Sequence, residues 1–294
     1  ISANFSSVSL GSETSGSILS PSSANSIVGL KPTIGLVSRS GIVPISSTLD
    51  TSGPMTKNVI DNAIVLKAIS GYDPDDSKSV NKSSIDLESI INSNLKGKRF
   101  GVFKDYLSDS LYLNAINKIK KSGGTIIEFS PPKVDFSDFR KILDFDMKFD
   151  LPKYFKKNNI LFNSINDIVE FNSKDSLLRS PYGQGIFKSI VSDSTKLDEI
   201  NSIKTRIKTE GKKYFDIAIE KYKLDAIISI NNYHAGFAAV AKYPCLTVPM
   251  GYKKSGEPIS LTFIAKPYQE QKLLQLGYAF EKLTKVRKLP KDYK

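Results

Sequence analysis

Residues 1–58 constrain this chain more than any other stretch. They are rich in Ser, Gly, Thr and Pro and almost free of charge. Flexible linkers share that composition, because they have nothing to bury. Here, however, apolar residues punctuate the segment: Val8, Leu10, Ile18, Ile27, Val28, Leu30, Ile34, Val37, Ile42, Val43 and Ile45. A linker has no use for them. The segment therefore predicts a folded, loop-rich core region in which small residues let backbone pack on backbone.

Beyond residue 58 the periodicity changes. Val59, Ala63, Leu66 and Ile69 share one helical face, with Gly71 as a stop. Residues 74–95 are polar and read as a surface stretch. A strand at Arg99–Phe103, a helix across 109–122 and a strand at Thr125–Phe129 form a strand–helix–strand unit, which favours an α/β fold with a right-handed crossover. Residues 136–190 predict short helices carrying Phe and Tyr. A long helix follows over about 195–222, marked by Ile200, Ile203, Ile207, Tyr214 and Ile217. Three apolar runs then read as strands: 226–230, 246–248 and 259–264. Leu273, Leu276, Phe280 and Leu283 give a last amphipathic helix, and the basic tail from Lys285 to Lys294 reads as frayed. The expected fold class is α/β, a mixed β-sheet core flanked by α-helices on both faces.

Composition narrows the function classes. No apolar run reaches the roughly 18 residues of a membrane helix. The net charge is +12, from 42 basic and 30 acidic residues. The lysines are spread among Asn, Asp and Ser, so the excess reads as a solvated lysine surface rather than a nucleic-acid site. One His and one Cys cannot build a nitrogen–sulfur metal cluster, and no carboxylate set stands out in its place. No metal or organic cofactor is implied. Cys245, the single cysteine, lies in the apolar run 243–248 and reads as a small buried hydrophobe.

The stretch with chemistry is Gly11-Ser12-Glu13-Thr14-Ser15-Gly16-Ser17-Ile18. It is followed by Val28-Gly29-Leu30-Lys31-Pro32-Thr33 and by Asp50-Thr51-Ser52-Gly53-Pro54-Met55. Small residues let backbone N–H groups converge, and a serine at the end of such a loop sits beside those donors. That arrangement suits a nucleophile next to an oxyanion hole, where one donor is worth about 3–4 kcal/mol in the transition state. The loop lacks the Gly-Lys-Ser/Thr ending of a phosphate loop, the G-x-G-x-x-G of a dinucleotide site and the G-x-S-x-G of a nucleophile elbow.

Taken together, these blocks and Gly41-Ile42-Val43-Pro44-Ile45-Ser46 resemble the signature region of the amidase signature family. The run Ala238–Gly251 is similar to that family's late strand, and Tyr278-Ala279-Phe280-Glu281 also matches. The resemblance implies a serine amide hydrolase acting through a Ser–cis-Ser–Lys triad and an acyl-enzyme. The nucleophile maps onto Ser17, and the oxyanion-hole N–H groups map onto Thr14, Ser15, Gly16 and Ser17. It implies that residues 1–294 are the C-terminal two-thirds of a single amidase-signature domain. The family's cis-serine and lysine fall before Ile1. Ser6 and Ser7 are too close to Ser17 to match the relay, and Lys31 maps to a structural position.

Ser15 and Leu19 stand where many members have glycine and arginine, and with the 28–42 run this favours the peptide-amidase-like branch. The implied substrate is a small-molecule or peptide amide. A separate N-terminal chain carrying the Lys and cis-Ser is a further expected partner. Two other readings stay open: the A-type subunit of a tRNA-dependent amidotransferase, and a catalytically incomplete homologue or scaffold. The compartment is open too, cytoplasmic or periplasmic and secreted. His234, the lone histidine, is the single candidate for a Ser–His pair, against a packing or hydrogen-bonding role for a loop histidine; its place at a strand end would also let it line the substrate cleft.

Overall fold

The computed structural model describes residues 1–82 and 84–291. Its strands are β1 (Val8–Glu13), β2 (Val28–Lys31), β3 (Thr51–Thr56), β4 (Arg99–Phe103), β5 (Thr125–Phe129), β6 (Ala226–Ile230), β7 (Cys245–Tyr252) and β8 (Pro258–Ile264). They form one eight-stranded sheet in the order β1-β3-β2-β7-β8-β6-β4-β5. β4 pairs in parallel with both β5 and β6, and the other pairings are antiparallel. The sheet is mixed, as expected.

The helices are α1 (Leu19–Ala24), α2 (Val59–Ile69), α3 (Leu87–Ile91), α4 (Ser110–Lys121), α5 (Phe139–Lys157), α6 (Ile165–Ser173), α7 (Ser176–Arg179), α8 (Gly185–Ser192), α9 (Leu197–Tyr222), α10 (Ala235–Ala241) and α11 (Glu270–Thr284). Local chemistry sets several ends. Asn58 caps α2 by accepting the Asp61 N–H, and Asp109 caps α4 through the N–H groups of Leu111 and Tyr112. Lys223, in the left-handed conformation, ends α9.

Side chains alternate across the strands, so each strand feeds two cores. On one face, Phe100, Val102, Ile228, Ile230, Leu246, Val248, Leu261 and Phe263 pack with Leu66 of α2, Ile90 of α3, Ile116 of α4 and Leu273 of α11. On the other, Phe103, Ile227, Cys245 and Ile264 pack with Leu19 of α1, Phe215 of α9 and Ala238 of α10. Helices thus cover both faces, and for that reason β6 and the start of β7 read as near-continuous apolar runs, while β8 sets buried Ser260 and Thr262 between its apolar residues. A small separate core joins Leu151, Phe155, Ile165 and Ile190 within α5, α6 and α8.

The structure refines the expectation for residues 1–58 and corrects four others. Residues 1–58 are loop-rich as expected, and within the loops they hold three strands and a helix. Their Gly and Ser residues are poor strand formers by propensity, but the sheet needs them small. A Cβ on Gly53 would stand 2.0 Å from the Leu30 carbonyl oxygen. In 74–95, Ile85, Ile90 and Leu95 are buried in the main core. In 136–190, α5 is a helix of 19 residues running through Pro152, held by packing of Leu151 and Phe155 rather than by propensity. The run from Ala238 opens as the end of helix α10, and the strand begins at Cys245. The start of the tail is tied down, because the Arg287 side chain donates to the Ser2 carbonyl and the Lys288 N–H to the Tyr252 hydroxyl. The last residues of the tail, 292–294, lie outside the described residues.

Candidate active site

The three sequence blocks of the first 58 residues are neighbouring strands. Glu13 pairs with Thr51 and Gly11 with Gly53 across β1 and β3, and Gly29 pairs with Met55 across β2 and β3. Residues 14–18 form the turn from β1 into α1 at one end of this ladder. Gly16 occupies it with φ +135°, a conformation that side-chain-bearing residues rarely adopt. A Cβ there would also press on Asn232 Nδ2 at 3.1 Å and on Ala235 Cβ at 3.6 Å. The turn therefore demands glycine twice over.

Glu13 anchors the turn from below. Its Oε2 accepts the N–H of Ile18 at 2.8 Å and of Leu19 at 3.0 Å, and the Gly16 N–H is turned toward the same carboxylate. Glu13 is buried, and burial raises its pKa, while the positive charge of Lys31 and the three N–H groups oppose that rise. Lys31 is itself buried on β2, its Nζ 3.4 Å from the Pro32 carbonyl oxygen. This agrees with the structural position assigned to it. Thr14 is fixed from the other side. Its hydroxyl donates to Asp50 Oδ1 at 2.6 Å, and Asp50 Oδ2 accepts the N–H groups of Ile45 and Ser46. Burial raises the Asp50 pKa, with these hydrogen bonds working against it.

Ser17 follows directly and is exposed at the surface of the turn. Among the described residues, the N–H groups of Ser15 and Ser17 have no acceptor. The loop thus offers a free hydroxyl beside unengaged donors, on a base held by two buried carboxylates.

Residues 1–235 match the family described as Amidase. The chain belongs to the amidase family. A probable amidase of Arabidopsis thaliana is 33% identical over 308 residues, covering 99% of this chain and 59% of its own length. The A-type subunit of glutamyl-tRNA(Gln) amidotransferase from Agathobacter rectalis is 29% identical over 324 residues, covering 95% of this chain and 62% of its own length. The structure of peptide amidase from Stenotrophomonas maltophilia superposes with a TM-score of 0.89 at 30% identity, over 99% of this chain and 65% of that one. The chain therefore spans about three-fifths of the length of these amidase-family relatives.

Within this amidase-family chain, His234 is not set up as a base for Ser17. Its ring stacks on Phe103 with centroids 3.9 Å apart and an 8° interplanar angle, and Nδ1 is hydrogen-bonded to the Ser229 hydroxyl. Burial lowers its pKa to about 4. The packing role holds. Lys242, whose pKa burial and the neighbouring lysines lower to about 7, donates its Nζ to the Thr48 carbonyl. Among the described residues no lysine is hydrogen-bonded to Ser17.

Sequence reasoning gave Glu13, Asp50 and Asn232 no role. A signal existed for the first two. In a segment nearly free of charge, the few charged residues that do occur are costly unless they are partnered, and Glu13, Lys31 and Asp50 are all buried. Asn232 carried no such signal, because only the fold brings it to Gly16.

Proposed function

We propose that this chain carries the nucleophile of a serine amide hydrolase. Ser17 Oγ attacks the carbon of a carboxamide, and the negative oxygen of the tetrahedral intermediate is held by N–H groups of the 14–17 loop. Collapse expels ammonia or an amine and leaves an acyl-enzyme on Ser17, which water then hydrolyses to the acid. Thr14, Ser15, Gly16 and Ser17 supply the donors in this reading. Those of Ser15 and Ser17 are unengaged, while that of Gly16 is shared with Glu13.

One observation carries the reading: the exposed Ser17 stands on a turn whose backbone is clamped from below by Glu13. A donor array stabilises a transition state only if it does not have to reorganise when charge develops, and the Glu13 clamp supplies that rigidity. The groups that take the proton from Ser17 are assigned to residues outside this chain, a cis-serine and a lysine.

Likeness to peptide amidase supports a small-molecule or peptide amide as substrate. The test is a fluorophosphonate serine probe applied to the full-length protein. Labelling at Ser17, lost in Ser17→Ala, is expected together with release of ammonia from peptide amides. A folded full-length protein left unlabelled overturns the assignment.

A further inference from the structure

The segment after β6 is built to deliver one side chain to the nucleophile turn. Asn231 takes a left-handed conformation, φ +46°. Three hydrogen bonds tie it to β8: its N–H donates to the Ser260 carbonyl at 3.0 Å, its Oδ1 accepts the Ser260 N–H at 2.8 Å, and its carbonyl accepts the Thr262 hydroxyl at 2.5 Å. Asparagine tolerates this conformation better than most residues, so the reversal is fixed at Asn231. The next residue, Asn232, is thereby turned toward Gly16. Its Nδ2 is the atom a Cβ on Gly16 would meet first. The first turn of α10 completes the wall, with Ala235 against Gly16 and Gly236 against Phe136.

The Asn232 carboxamide has no hydrogen-bond partner among the described residues. It is half-buried, beside the residue that precedes Ser17. A half-buried carboxamide with two donors and an acceptor free is poorly satisfied as it stands. Its natural complement is a group with one acceptor and one donor, which describes a secondary amide. The carbonyl under attack already has the backbone N–H groups, so Asn232 is left for a second amide of the substrate.

Resting on the amide-hydrolase reading of Ser17, we propose that Asn232 contacts the substrate by hydrogen-bonding an amide group other than the scissile one. It thereby selects peptide-like amides over simple carboxamides. Asn232 is then a specificity residue, realised equally in ground and transition states, so its loss acts on KM rather than on kcat.

The experiment compares two amides on the full-length protein: N-acetylphenylalanine amide, which carries a second amide, and 3-phenylpropanamide, which does not. Asn232→Ala is expected to lower kcat/KM for the first about tenfold, the scale of one hydrogen bond. The loss should fall in KM and leave the second within about twofold. Asn232→Gln, which retains the donors and acceptor, should recover part of the loss. Equal losses on both amides, or no loss on the first, overturn the inference. Fluorophosphonate labelling of Ser17 separates the two levels. Label with no Asn232 effect removes the inference alone, whereas no label and no hydrolysis in the wild type removes the amidase reading and the inference with it.

Discussion

Glu13 Oε2 lies 2.8 Å from the Ile18 nitrogen, and the same oxygen takes the Leu19 N–H. One buried carboxylate thus fixes the backbone on the far side of Ser17, while Lys31 supplies the nearest opposing charge. Removing it strands two buried donors and a buried cation. Glu13→Ala is expected to destabilise the chain by about 3–5 kcal/mol. Glu13→Gln keeps an acceptor and should cost about 1–2 kcal/mol. Urea unfolding of both variants checks the order, and an alanine variant as stable as wild type would show that the clamp is dispensable.

His234 should stay neutral through the mildly acidic range. Its pKa is lowered to about 4 by burial, from 6.5. The unfolded chain therefore binds a proton that the folded one does not as pH falls below 6.5. The group's stability contribution is full above that value and is lost as pH falls toward about 4. Because the chain has one histidine, its imidazole NMR signal is unambiguous. That signal should not titrate between about pH 8 and about pH 5. A midpoint near the ordinary histidine value would contradict the stacked, buried placement against Phe103.

Glu281 has the opposite sign. Burial raises its pKa from 4.5 to about 7, even though it accepts the Val59 N–H and faces Arg287. The folded state therefore holds a proton that the unfolded state releases, so stability falls as pH rises from about 4.5 to about 7 and is level above. Glu281→Gln retains an acceptor for Val59 without the ionisation. It should gain on the order of 2–3 kcal/mol over wild type at about pH 8 and little at about pH 4.5. Denaturant unfolding at the two pH values measures this, and a gain independent of pH would refute it.

Cys245 is fully buried on β7, and burial pushes its thiol up to about 12 despite the nearby Lys31. The thiolate is the reactive form. The native protein should therefore react negligibly with a thiol-directed disulfide reagent and give one equivalent only once unfolded. Rapid native labelling would place Cys245 at the surface instead.

The elements best read from sequence are those whose burial is one-sided or complete over a long run. Ile200, Ile203, Ile207 and Tyr214 repeat at helical spacing because α9 lays one face on the core. The apolar run of β6, broken only by Ser229, is near-continuous because helices cover both sides of it. The strands of the first 58 residues were hidden for the converse reason. Gly11, Gly29 and Gly53 carry no strand signal, and each is there because a neighbour leaves no room: Met55 and Ile18 at Gly11, Ser22 at Gly29, and the Leu30 carbonyl at Gly53. Pro152 likewise argued against a long helix at α5, and packing overrode it.

The sequence by itself determined the α/β class, the family membership carried by its ordered blocks, and Ser17 as the residue to watch. The class follows from local periodicity, and the family and Ser17 from the resemblance of those blocks to the amidase signature. Only the tertiary structure decided what surrounds Ser17. It made the three blocks adjacent strands, set Glu13 beneath the turn, gave His234 to Phe103 rather than to Ser17, and brought Asn232 from the far end of the chain to Gly16. These are contacts between residues distant in sequence, fixed by sheet order and close packing, and no local periodicity encodes them.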